Sequence, residues 1–239
     1  LPFVDLGGHS AKSVYAGEHR TCAILSNDKL KCWGAAKMFP YGGLSLASAD
    51  GRDANLLGYG DQLQRGDAPG QMGSNLPIVS LGTGSEGGLM GARWVALGES
   101  ATCVVLSNDG IKCWGFGWSG QLGSENIGPH STYSGYFGLR REPVRDLPYV
   151  GLLWAFPLSW LDTTVPVLPS ATTTLGGEVV FVSTAWRYAC YLAASGDVGC
   201  WGSNAHGNLG LGDTVSRGDP SEMGKNLPYV RLGLGRSAQ

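Results

Sequence analysis

Thr21-Cys22-Ala23-Ile24-Leu25-Ser26-Asn27-Asp28-Lys29-Leu30-Lys31-Cys32-Trp33-Gly34 is the stretch that decides the fold. Thr21 to Leu25 is apolar enough for a buried strand. Ser26-Asn27-Asp28 has the composition of a tight turn. Lys29-Leu30-Lys31-Cys32-Trp33 alternates polar and apolar residues, as a half-buried strand does. Together they read as a β-hairpin with a cysteine on each arm. The block returns as Thr102-Cys103 through Cys113-Trp114-Gly115, and again as Ala189-Cys190 through Cys200-Trp201-Gly202.

Working outward, a second mark brackets each hairpin. Leu1-Pro2-Phe3-Val4-Asp5-Leu6-Gly7 recurs as Leu76-Pro77-Ile78-Val79-Ser80-Leu81-Gly82, as Leu147-Pro148-Tyr149-Val150-Gly151-Leu152, and as Leu227-Pro228-Tyr229-Val230-Arg231-Leu232-Gly233. The spacings are 75, 71 and 80 residues. Two further blocks repeat: Gly120-Gln121-Leu122-Gly123 with Gly207-Asn208-Leu209-Gly210, and Arg65-Gly66-Asp67 with Arg217-Gly218-Asp219. Val14-Tyr15-Ala16-Gly17 adds a short strand before the hairpin. The Leu-Pro-x-Val-x-Leu-Gly segment reads as a fourth strand, its proline placing it at a sheet edge or a strand start. Four short antiparallel strands with glycine corners describe a propeller blade. The fold class is therefore all-β, a propeller of four-stranded antiparallel blades.

The counting gives one domain over residues 1–239, with repeats at about 1–75, 76–146 and 147–226 and the start of another at 227–239. Read as blades, these are three full sets and one orphan strand, residues 1–7. Propellers have typically 4–8 blades, so the expectation is a partial propeller: part of a longer one, or one completed by a partner. The start at Leu1, with no Met and no signal-peptide pattern, is that of a processed or excerpted chain.

Composition agrees. Glycine supplies 39 of 239 residues, which opposes a helical bundle because glycine is costly inside helices. Hydrophobic residues make up 43 %, with 8 Trp, which excludes a disordered chain. The net charge is −2 and no Lys/Arg run exists, so nucleic acid and anionic lipid are poor partners. No stretch of about 18 apolar residues offers a spanning helix.

Gly17-Glu18-His19-Arg20-Thr21-Cys22-Ala23-Ile24-Leu25, followed by Cys32-Trp33-Gly34, resembles the repeat of the regulator of chromosome condensation family. Trp201-Gly202-Ser203-Asn204-Ala205-His206-Gly207-Asn208-Leu209-Gly210-Leu211-Gly212-Asp213-Thr214 is similar to that family's Trp-Gly-x-Asn-x-x-Gly-Gln-Leu-Gly run. The resemblance covers nearly the whole chain outside the insertions. It implies a β-propeller of about seven blades. The family includes exchange factors, inhibitors and scaffolds, so the fold alone does not fix the activity.

The six cysteines, Cys22/Cys32, Cys103/Cys113 and Cys190/Cys200, pair at ten-residue intervals across hairpins. Zinc needs four clustered ligands, and His9, His19, His130 and His206 share no repeat position. Cross-strand disulfides use all six cysteines and imply an oxidising compartment, extracellular or an organelle lumen. Three reduced, buried pairs are the alternative. An oxidising compartment and the lack of a basic face both speak against nucleotide exchange on a nuclear GTPase.

The other motifs carry less. The two Arg-Gly-Asp tripeptides sit at the same repeat position, so a recurring turn competes with an adhesion motif. Gly82-Thr83-Gly84-Ser85-Glu86-Gly87 fits a dinucleotide fingerprint but opens no βαβ unit. Trp33, Trp114 and Trp201 are expected in the core, against the disulfide or a neighbouring blade. No catalytic residues, metal ligands or cofactor-binding residues are assigned.

Three insertions depart from the repeat, at about 35–57, 124–139 and 153–175. The second holds Tyr133, Tyr136 and Phe137; the third holds Trp154, Phe156, Trp160 and Leu161. Inserted loops rich in such residues are candidate anchors for a partner protein, or they fold back over their own blade. The functional expectation is a non-catalytic protein-binding or scaffold module. Two alternatives stand beside it: an accessory subunit on the luminal or outer face of a membrane complex, and a secreted carbohydrate-binding or hydrolytic propeller.

Overall fold

The computed structural model describes residues 3–36, 56–83, 87–115, 119–123, 178–219 and 222–233. They form three antiparallel sheets, each ordered as it runs in sequence. The first blade holds β1 (Ala11–Ala16), β2 (Arg20–Leu25) and β3 (Leu30–Gly34). The second holds β4 (Ala92–Leu97), β5 (Ala101–Leu106) and β6 (Ile111–Gly115). The third holds β7 (Val179–Thr184), β8 (Tyr188–Ala193) and β9 (Val198–Gly202). The all-β propeller reading holds.

The same local chemistry builds each blade. The hairpin turn needs one residue in the left-handed region. Asp28 and Asp109 take it at φ 62° and 64°, and Gly196 takes it at φ 87°. Asp tolerates that conformation because its short polar side chain bonds locally. Asn27 and Asn108 support their turns by accepting from the amides of Lys29 and Gly110, both at 3.2 Å. The first strand of every blade carries a β-bulge, between Ala11 and Ser13, Ala92 and Trp94, and Val179 and Phe181.

The fourth segment is looser than a full strand. It joins the sheet by a single bridge, Leu30 to Val79 in the first blade and Gly199 to Tyr229 in the third. One amide secures it in each case: Val79 N–H donates to Leu30 O and Val230 N–H to Val198 O, both at 2.8 Å. The proline two positions earlier offers no N–H, which limits the ladder.

Register sorts the side chains into two faces. Cys22 pairs with Cys32 while the adjacent Thr21 pairs with Trp33; Cys103/Cys113 and Thr102/Trp114 repeat the arrangement. Neighbouring residues on a strand point to opposite faces, so each Cys-Trp dipeptide faces two ways. Cys22 and Cys32 share a core cluster with Trp114 of the second blade. Cys103 and Cys113 share another with Trp201 of the third. The first two disulfides thus face the following blade, and Trp114 and Trp201 face the preceding one. The middle blade is covered on both faces, and every residue of β5 and β6 is buried.

Lys31 departs from the half-buried pattern read in its strand. It is only 4 % exposed, and its ammonium donates to Leu6 O at 3.0 Å and Gly73 O at 2.8 Å. A buried cation needs such acceptors. Lys112 is likewise buried.

Candidate interaction surface

All six cysteines are oxidised, as Cys22–Cys32, Cys103–Cys113 and Cys190–Cys200, with Cα atoms 4.0–4.1 Å apart. This is the close spacing of a cross-strand pair. The first two lie inside the joints between blades. Cys190 is only partly buried, on the outward face of the third blade.

The tryptophans after the second cysteine have a defined task. Trp114 and Trp201 are fully buried. The Trp114 indole N–H donates to Leu56 O at 3.1 Å, and the Trp201 indole N–H donates to Gln121 O at 2.9 Å. A buried indole N–H requires an acceptor, and here the preceding blade's loop supplies it. Trp33 differs from the core expectation: it is half-buried beside Leu6, Ala23 and Leu25.

Leu56 is a contact that the sequence pattern does not mark, because it lies inside the first insertion, 35–57. The signal was present. Leu57-Gly58-Tyr59-Gly60-Asp61 matches Leu209-Gly210-Leu211-Gly212-Asp213, which makes Leu56 the counterpart of Gln121 and Asn208.

The same alignment explains the Arg-Gly-Asp tripeptides. Arg65 pairs with Asp61 at 2.7 Å and Arg217 with Asp213 at 2.8 Å, both four residues back. Neither aspartate belongs to a tripeptide. The Arg65 hydrogen bond holds the Asp61 carboxyl below the usual aspartate value. Backbone bonds then fasten the loops, with Gly34 N–H donating to Arg65 O at 2.7 Å and Gly202 N–H to Arg217 O at 2.6 Å. The arginines are committed to a recurring turn.

One residue spans the first joint, and another ties the first blade's loop to its own sheet. Arg20 is buried, and it reaches into the next blade to donate to Thr102 Oγ1 at 3.1 Å and Ala101 O at 2.7 Å, and also to Gly98 O and Glu99 O. Burial pulls its pKa down to about 10, with Glu18 opposing, so the guanidinium stays charged at neutral pH. The Tyr59 hydroxyl accepts from Cys32 N–H at 3.0 Å and faces Cys32 O and Pro77 O at 2.9 and 3.0 Å. Burial pushes its pKa up to about 12.

A row of aromatic residues, partly open to solvent, lies elsewhere. The first strands β1, β4 and β7 lie side by side from blade to blade. Across them Tyr15 meets Trp94 edge-on at 5.3 Å, and Trp94 meets Phe181 at 5.6 Å. The bulge before Trp94 turns its ring onto this row. Its indole donates to Val182 O at 2.9 Å, yet the side chain stays 39 % exposed. Trp186 is 52 % exposed with the Arg187 guanidinium 4.1 Å over its ring. Such a row offers planar apolar faces rather than reactive groups. Trp154, Phe156, Trp160, Leu161, Tyr133, Tyr136 and Phe137 lie outside the described residues. Among the described residues no group of three His, Cys, Asp or Glu could hold a metal ion, and no helix is long and apolar enough to cross a membrane.

No family model and no curated protein matches the chain. Solved structures do match. Prp20p from Saccharomyces cerevisiae, described for its binding to Gsp1p and histones, aligns with a TM-score of 0.52 and 14 % identity over 94 % of this chain and 39 % of its own. Yeast RCC1 (Prp20) bound to Kap60 gives a TM-score of 0.49 and 15 % identity over 94 % of this chain and 38 % of its own. Human WBSCR16 gives 0.49 and 17 % over 95 % and 42 %. The shared property is the RCC1-like β-propeller fold. The chain spans about two-fifths of the length of these structures.

Proposed function

We propose that this chain is a non-catalytic protein-binding or scaffold module of an oxidising compartment. The observation that carries the reading is the division of labour among its residues. The repeated residues, the cystines, the Cys-Trp tryptophans and the Asp–Arg pairs, go into holding blades and loops together. Residues that vary between blades, the exposed Trp94 and Trp186 with the partly buried Tyr15 and Phe181 beside Trp94, supply the aromatic surface. A scaffold with invariant joints and individual surfaces suits recognition of another protein. Prp20p is itself a protein that binds Gsp1p and histones.

The insertions at 124–139 and 153–175 extend that surface in this proposal, with Trp154, Phe156, Trp160 and Leu161 as anchors. The three disulfides support the oxidising compartment. An accessory subunit of a membrane complex is the more specific form of the same reading. Cross-linking mass spectrometry on the native protein tests it. Cross-links from the partner should fall on 124–139, 153–175 or the neighbourhood of Trp94, and deleting 153–175 should abolish binding while the three disulfides still form. Binding that survives both this deletion and Trp94→Ala overturns the proposal.

A further inference from the structure

The two Asp–Arg turns do more than fasten their loops: each holds out one apolar side chain. In the first blade Leu63 N–H donates to Asp61 Oδ1 and Arg65 Nη1 donates to Leu63 O, both at 3.0 Å. In the third blade Val215 N–H donates to Asp213 Oδ1 at 3.0 Å, and Arg217 Nη1 donates to Val215 O at 2.6 Å. Carboxylate and guanidinium then close on each other. Both backbone polar groups of the tip residue are thus engaged within five residues. The side chain stands in solvent, 64 % exposed for Leu63 and 56 % for Val215.

A lone exposed aliphatic residue needs no explanation. Two at one repeat position, on tips of the same construction, are a different observation. The turn itself asks for nothing apolar, because the Asp–Arg pair bonds only the backbone of the tip residue. Its neighbours are polar, in Asp61-Gln62-Leu63-Gln64-Arg65 and in Asp213-Thr214-Val215-Ser216-Arg217. Both tips also lie at one end of the blades. Arg65 bridges to Gly34 and Arg217 to Gly202, the residues paired with Arg20 and Tyr188 where the second strands begin. That end is continuous from blade to blade, since Arg20 bonds Ala101 O and Ser100 bonds Trp186 O.

We infer that Leu63 and Val215 are a pair of knobs that seat in two apolar sockets of one partner protein, bridging the second blade between them. Each arginine is engaged by its aspartate, so the tips offer an aliphatic group without the loose cations that an anionic lipid surface would select. Gln64 and Thr214, both exposed, suit the polar rim of such a contact. The turns order the tip backbone before binding, which lowers the cost of association, and two contacts with one partner reinforce each other. The inference rests on the reading that this chain binds a protein, and it places that binding on residues other than Trp94 and the 153–175 insertion.

The test places photoleucine, which carries a diazirine, at position 63 or 215 of the oxidised full chain and irradiates it in an extract of the native source. Both positions should join to the same protein, each at an apolar residue. With that protein purified, Leu63→Ser and Val215→Ser should each weaken binding roughly tenfold, the effect of returning one aliphatic side chain to water, and the double variant about fiftyfold or more. Leu63→Met should keep most of the binding. The serine variants should keep all three disulfides and the thermal midpoint, because the replaced side chains touch solvent. Four results would each overturn the inference: different proteins at the two positions, a join to a second copy of this chain, no protein joined at either position, or binding indifferent to the serine variants. Phosphatidylcholine–phosphatidylserine vesicles that hold the unsubstituted chain and release the double variant would assign the tips to a membrane and overturn it as well. The proposed function is scored separately on the same protein. Binding lost on Trp94→Ala and on deletion of 153–175, but kept by the serine variants, retains that function and rejects the knobs; the opposite pattern does the reverse.

Discussion

The joint between the first and second blades and the joint between the second and third share one plan and differ in reinforcement. In both, a tryptophan of the later blade donates to a loop carbonyl of the earlier one, beside a cystine. The first joint adds a second donor, Thr102, and the buried Arg20 clamp. At the second, Ala189 stands where Thr102 stood and Ala101 stands where Arg20 stood. Its extra bonds come instead from the first strand and the turn after it: Arg93 to Glu178 and Val179 O, Trp94 to Val182 O, and Ser100 to Trp186 O. The repeat sets where blades meet, and single residues set how firmly.

The largest effect should come from the shared plan. Trp114→Ala and Trp201→Ala should each cost roughly 3–5 kcal/mol in denaturant unfolding, the usual loss for a buried Trp. Trp33→Ala, at neither of the two described joints, should cost about 1–2 kcal/mol. A Trp33 loss equal to the others would show that burial alone, without a blade-to-blade contact, accounts for all three.

Arg20→Met should cost about 2–3 kcal/mol, because it strips a charged donor from several carbonyls. Arg93→Met should cost less than about 1 kcal/mol, since its ion pairs are solvent-accessible. Equal losses, measured the same way, would erase the difference in reinforcement.

Each disulfide closes a short loop worth roughly 2–3 kcal/mol in the chain-entropy account. Stepwise reduction followed by thiol alkylation and mass mapping should open Cys190–Cys200 first, since the other two are sealed in joints. Simultaneous opening of all three would mean that the joints give no protection.

The smallest effect should come from exchanging the minor donor. Thr102→Val should lose about 1 kcal/mol, and Ala189→Thr should gain about 0.5 kcal/mol by placing a hydroxyl near Gln121 O. A loss on Ala189→Thr would show that the second joint has no room for the first joint's bond.

The strands, their turns and the cysteine pairing were legible because they depend on neighbours within about ten residues. The Asn-Asp turn, the alternation and the Cys-to-Cys interval all lie inside one hairpin. Arg20 and Lys31 were not legible. Arg20 stands just before the strand read at Thr21–Leu25 and Lys31 on one read as half-buried, and each is a charged residue buried by carbonyls far away in sequence: Ala101 for Arg20, and Leu6 and Gly73 for Lys31. Local pattern cannot report an acceptor some 25 to 80 residues distant. Leu56 was hidden differently. A long insertion displaced it from the tryptophan-glycine run that marks its counterparts. The row of Tyr15, Trp94 and Phe181 escaped because its members come from different repeats and do not share one position: Trp94 and Phe181 follow the bulge, and Tyr15 lies two residues further on.

The two-faced Cys-Trp dipeptide has a consequence for descent. Both halves of a joint, the cystine wall and the tryptophan that seats against it, are written in adjacent codons of one unit. A tandem duplication of that unit therefore brings a working contact with it, and the new neighbours need no co-adapted mutation before they can pack. Arg20 and Trp94 can then be later acquisitions at single copies, free to diverge because the inherited contact already holds.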